Sequence, residues 1–155
     1  MTTATPAFTL TEEQQATQRL VLVLQQEQDA LAAGQPEEIA ELITAKATII
    51  ATMATLAEQR HHTLAALNFD ASEGGMQSWL DQNGSDTDKQ IWDDLFASAQ
   101  TARELNRLNG VLIGKQMSIN QNALQILQGK SQTGNFYGPD GQSSMSTTGR
   151  RLGVV

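Results

Sequence analysis

Leu31-Ala32-Ala33-Gly34-Gln35-Pro36-Glu37-Glu38 decides the fold. Glycine is favoured just past a helix C-terminus, proline in a first helical turn, and carboxylates at the positive end of a helix dipole. These eight residues therefore close one helix and open another across a two-residue turn. Upstream, Thr9 or Thr11 is placed to cap, Glu12 and Glu13 suit the dipole, and nothing breaks the pattern before Gly34, which predicts a helix over about 9–33. Downstream, the pattern continues over about 36–68. Two helices of about 40 and 50 Å at 1.5 Å per residue, joined so tightly, pack as an antiparallel hairpin.

Seam positions spaced four and three apart set the register. They are Leu10, Glu13, Thr17, Leu20, Leu24, Glu27 and Leu31 in the first helix, and Leu42, Lys46, Ile49, Met53, Leu56, Arg60 and Thr63 in the second. Partner numbers summing to 73 set Leu31 against Leu42, Leu24 against Ile49 and Leu20 against Met53. The same sum sets Glu27 against Lys46 and Glu13 against Arg60. A charge on an apolar seam is costly unless an opposite charge meets it, so two such pairings in one register favour that register. The alternative is that Lys46 and Arg60 extend to solvent.

Outward from the hairpin, residues 1–8 read as a frayed start, and residues 69–86 as a loop with one short helical turn that docks Trp79 and Leu80. Asp86 or Thr87 then caps a third helix, about 87–128, with a seam of Ile91, Leu95, Ala102, Leu105, Leu112, Ile119, Ala123 and Ile126, ended by Gly129. The expected fold is all-α: a long antiparallel hairpin plus a third long helix, forming a three-helix bundle or coiled coil. Residues 1–128 make the helical domain, and residues 129–155, rich in Gly, Ser and Thr with scattered apolar groups, a flexible C-terminal tail.

Composition agrees: aromatic residues are only 5% and hydrophobic residues 39% of 155, which suits aliphatic helix seams over a sandwich or barrel. With no cysteine, thiolate metal sites, disulfides and cysteine nucleophiles are excluded. The longest apolar run is Leu20–Leu24, and the N-terminus lacks the order of a signal peptide, so the expected location is the cytoplasm without membrane insertion. Net charge is −7, and residues 1–128 hold 16 acidic against 7 basic side chains. Such a body repels phosphate backbones, which argues against nucleic acid and for a protein partner.

Catalytic chemistry has little to work with. Glu58 and His61 have the spacing of a helical di-iron ligand pair, but His62 is the only other histidine and no second copy of the motif exists. More telling is Leu105-Asn106-Arg107-Leu108-Asn109-Gly110-Val111-Leu112-Ile113-Gly114. Each interior glycine costs a helix about 1 kcal/mol relative to alanine, and two asparagines near a seam need partners. Either helices cross closely at Gly110 and Gly114, or the stretch belongs to a partly exposed stripe that closes on a partner. Ile113, Met117, Leu124 and Leu127 form an apolar row beyond it. A lone hairpin cannot cover every apolar face of the third helix, which leaves a groove for a client's amphipathic helix, or for a homodimer.

Met76-x-x-Trp79-Leu80, Leu105-Asn106-x-x-Asn109-Gly110-x-Leu112-Ile113, Ala123-Leu124-x-x-Leu127-x-Gly129 and Tyr137-Gly138-Pro139-Asp140-Gly141-Gln142, in this order, together with the spacing of Glu27, Lys46 and Arg60, resemble the FlgN family of bacterial flagellar export chaperones. The resemblance spans nearly the whole chain. It implies a cytosolic protein, not an enzyme, that uses no ATP, metal or other cofactor. Such a protein binds hook-filament junction (hook-associated) proteins, prevents their premature assembly and delivers them to the cytoplasmic domain of the flagellar type III export gate. It further implies client capture by the C-terminal portion, here Asn109, Gly110, Ile113, Met117, Leu124 and Leu127, and gate docking through a tail tyrosine, here Tyr137 with Gly138 and Gly141. The stretch Ser143–Thr148 and the pair Arg150-Arg151 have no counterpart role. A self-associating structural coiled coil is the rival reading.

Overall fold

In the computed structural model, residues 4–136 are described, with side chains for residues 4–129. A short 3-10 turn (Pro6–Thr9) leads into α1 (Leu10–Ala33), α2 (Pro36–Ala66), α3 (Glu73–Asn83) and α4 (Asp86–Phe136). No strand occurs among the described residues. The chain divides into two compact units, Met1–Leu112 and Ile113–Val155.

The hairpin turn forms as its residues dictate. Gly34 takes the left-handed conformation (φ 67°, ψ 42°), its N–H donates to the Leu31 carbonyl, and the Gln35 N–H donates to that of Ala30 at 3.0 Å. Pro36 occupies the first turn of α2. At the far end α2 closes on Asn68, the one non-glycine residue with positive φ (65°) among the described residues, with the Phe69 N–H donating to the Leu64 carbonyl. Asparagine tolerates that backbone through its short polar side chain.

Both ion pairs expected on the seam form. Lys46 Nζ lies 3.1 Å from Glu27 Oε2, and Arg60 Nε lies 3.0 Å from Glu13 Oε2. Leu20 and Leu24 pack with Ile49, Met53, Leu105 and Ala102 between these two polar layers. The Arg60 layer reaches every element of the body. Thr9 donates to Glu13 at 2.7 Å, Glu73 accepts from Arg60 Nη2 at 3.4 Å and lies 3.2 Å from His61 Nε2, and the guanidinium sits 5.0 Å from the Trp92 ring centre. Arg60 is thus neither solvated nor held by one partner. Thr9 precedes α1 but uses its hydroxyl on Glu13 instead of capping the helix.

Several sequence expectations are corrected here. The start is not frayed from residue 4 onward, since Pro6 and Thr9 are buried in the 3-10 turn. Residues 69–86 contain an eleven-residue helix, not a single turn: Ser72 caps α3 by accepting from the Gly75 N–H at 3.0 Å, and Met76, Trp79 and Leu80 are buried with Leu10, Leu64, Trp92 and Leu95. The α4 cap is Ser85, which accepts from the Asp88 N–H while Asp88 accepts from the Ser85 N–H, a reciprocal capping box. Gly129 does not end α4, which continues to Phe136; one glycine costs a helix about 1 kcal/mol, too little to stop it. The expected tail from residue 137 lies outside the described residues.

Averaged along its length, α2 is apolar and long enough to cross a bilayer, although no single apolar run in it is long. Its alanines and threonines account for the difference. The hydroxyls of Thr44, Thr48, Thr52 and Thr55 all donate to the carbonyl four residues earlier, so the helix satisfies them itself.

Gly75 is required by space. A Cβ there would lie 1.8 Å from the Asp70 carbonyl oxygen. Gly75→Ala is therefore expected to destabilise the body by about 1–3 kcal/mol, the usual cost of overpacking, seen as a lower midpoint in thermal melting followed by circular dichroism.

Candidate functional site

The site is built on α4, whose successive segments meet different surroundings. Trp92, Leu95, Ala102 and Asn109 are buried at the three- and four-residue spacing of one helix face. Asn109 is 1% exposed, and its Nδ2 donates to the Leu24 carbonyl at 2.8 Å and to Glu27 Oε1 at 2.9 Å. Asn106 Oδ1 accepts from Lys46 at 3.3 Å. The two asparagines therefore complete the Glu27–Lys46 layer across α1, α2 and α4, with Asn109 buried inside it as a clamp. Its Oδ1 meets no donor among the described residues.

Glu27→Lys is expected to lower stability by about 3–5 kcal/mol, since it sets two cations together and removes the acceptor of Asn109. Adding Lys46→Glu should restore part of that loss in a double-mutant cycle by urea titration; no recovery would mean the two side chains do not interact.

Gly110 and Gly114 do not mark a close helix crossing, because a Cβ at either would meet nothing within 4 Å. Gly110 is exposed, beside Leu108 and Val111. Arg107 donates to Glu104 at 2.9 and 2.8 Å on the open side, and this hydrogen bonding holds the Glu104 carboxyl below its usual range.

In the second unit, Ile113 is half-buried, while Met117, Leu124 and Leu127 are 56–62% exposed. Ile113, Met117, Leu124 and Leu127 recur at three-, four- and seven-residue spacing, so within this unit the row lies along one face of its helix. Ile119, Ala123 and Ile126, expected as core seam, are exposed as well, with Ile119 and Ile126 about 60% so. Tyr137, Gly138 and Gly141 lie outside the described residues.

Trp92, with its role beneath Arg60, was not legible as core in the sequence, where Ile91 fits an apolar seam equally well. Among the described residues no group of three or more His, Cys, Asp or Glu could hold a metal ion, and His61 instead faces Glu73.

The first unit is a helical body locked by two buried polar layers, and the second carries an exposed apolar row. The chain belongs to the FlgN family: the family model described as "FlgN protein" matches residues 1–145. It is 30% identical over 94 residues to the "Flagella synthesis protein FlgN" of Salmonella typhimurium, a match covering 61% of this chain and 66% of that protein. It is 28% identical over 138 residues to the protein of the same name from Yersinia enterocolitica, covering 87% of both chains. No solved structure gives a significant match.

Proposed function

We propose that this chain is a flagellar export chaperone that binds hook-associated, hook-filament junction proteins in the cytoplasm, keeps them from assembling and delivers them to the cytoplasmic domain of the type III export gate. The observation that carries the reading is the open apolar row of α4, Ile113, Met117 and Leu124 with Leu127, in a chain whose relatives are named for flagella synthesis. An exposed apolar row suits an amphipathic client helix laid against it, which is recognition by apolar burial without chemistry. In this reading the protein is not an enzyme and needs no cofactor. An acidic body with pI near 4.7 also fits a protein client better than nucleic acid.

The test is titration calorimetry of the full chain against the terminal helical segments of a hook-filament junction protein. Binding is expected, with a negative heat-capacity change from buried apolar surface. Heat indistinguishable from dilution would overturn the reading. Gate docking is assigned to Tyr137, the single tyrosine of the chain, together with Gly138 and Gly141. Tyr137→Ala is expected to leave client affinity unchanged and to abolish pull-down of the gate's cytoplasmic domain; undiminished docking would reject the assignment.

A further inference from the structure

Within Met1–Leu112, α2 and α4 leave an open groove of about 480 Å³. Ile50, Ala54 and Ala57 form one wall and Phe96, Ala99 and Arg103 the other. Ile50 and Phe96 are each about half exposed, and Ile43, seven residues before Ile50, is exposed to the same degree. No charged side chain occurs between Lys46 and Glu58, and the threonine hydroxyls of this stretch are spent on the helix's own carbonyls. The alanines and the apolar rims Ile50 and Phe96 leave room for one more helix at close approach, with Arg103 on one wall and Glu13, Arg60 and Glu73 also lining the groove. The half-exposed Ile43, Ile50 and Phe96 are the apolar surface such a helix would cover.

The chain also carries a segment that matches. From Ile113 to Leu127 the only charge is Lys115, and Ile113, Met117 and Leu124 share a face that also carries Asn120, with Gln121 at its edge. The face from Ile113 to Leu127 covers fifteen residues, as does that from Ile43 to Ala57, about 21 Å each. Charge selects the pairing. Residues 1–112 hold 16 acidic and 6 basic side chains, whereas residues 113–155 hold 1 and 4. Two bodies of net −10 repel, so copies joined body to body are disfavoured, while a segment from the +3 portion is drawn to an acidic body.

We propose that residues 113–127 of one copy seat in the α2–α4 groove of a second copy, and reciprocally, so that two chains form a dimer by exchanging helices. Each contact is heterologous, but the reciprocal pair closes under two-fold symmetry and leaves no open end for further growth. The row seated in this way is the row assigned above to the client, so client and second copy compete for it; sedimentation in the absence of client tests the dimer alone.

The test is sedimentation equilibrium of the full chain in three forms: wild type, a groove variant (Ile50→Asp with Phe96→Asp) and a row variant (Met117→Asp with Leu124→Asp). Wild type is expected to be dimeric and each variant monomeric. An equimolar mixture of the two should regain a dimer that dissociates more readily, because the row of the groove variant still fits the groove of the row variant. A monomeric wild type, a groove variant that still dimerises through its rows, or a mixture that stays monomeric would each overturn the proposal. Should the groove variant lose helicity, Ala54→Arg blocks the same groove from an exposed position and takes its place.

Discussion

Arg60→Ala is expected to lower the stability of the helical body by about 3–5 kcal/mol, read from urea denaturation followed by circular dichroism. Arg60 is 3% exposed and Glu13 5%, so removing the guanidinium strands a buried carboxylate that has already lost its water. The Glu73 contact and the contact with the Trp92 ring go with it. A loss of this size consumes much of the 5–15 kcal/mol typical of a small domain, so partial unfolding at 37 °C is expected. The double change Arg60→Met with Glu13→Leu should be far milder than Arg60→Ala, because a buried ion pair replaced by packed apolar groups is often near neutral. If the single and double variants lose equal stability, the harm comes from lost volume, and the ion pair is not what the layer depends on.

Met117→Asp with Leu124→Asp is expected to weaken client binding by a hundred-fold or more, about 3 kcal/mol, while thermal stability changes little. Two apolar anchors at the centre of a helix-in-groove contact are the positions where truncation costs most, and a carboxylate there adds a desolvation cost on binding. Both side chains are more than half exposed, and surface changes of this kind move folding stability by about 0.5 kcal/mol or less. Circular dichroism beside calorimetry separates the outcomes. Equal loss of helicity and affinity would make the row structural, and retained affinity would move the client elsewhere on the chain.

The hairpin was legible because its signals are local and redundant. Gly34, Pro36 and the paired carboxylates mark the turn, and the two charge pairs mark the register. The Asn109 clamp was half legible: two amides near a seam called for partners, but only the fold supplies Leu24 and Glu27, more than eighty residues away. What failed were inferences from a single residue. Gly129 alone suggested a helix end, and Gly110 and Gly114 a close crossing, although glycine permits such features without requiring them. The seam of the last helix drifted to Ile119 and Ile126 because its upstream apolar positions fit two neighbouring faces. Burial of Trp92 and Asn109 picks one face within the first unit, while in the second Ile119 and Ile126 are exposed. The groove beside α2 was hidden because its apolar character is spread over alanines and self-bonded threonines instead of a run of large side chains.

The two charged layers on the hairpin also govern which misfolded states the chain can populate. A slip of α1 against α2 by one heptad still sets Leu24 against a leucine, Leu42 or Leu56, and keeps two of the four α1 seam leucines on apolar partners, so hydrophobic pairing alone penalises it only in part. In one direction the slip sets Glu27 against Ile39, Lys46 against Leu20 and Glu13 against Met53. In the other it sets Glu27 against Met53 and Arg60 against Leu20. Either way, charges that satisfy one another in the native alignment are stranded in hydrocarbon together. Energy is thereby added to the nearest competing alignments at no cost to the correct one, which widens the gap that a nascent hairpin must resolve as it zips.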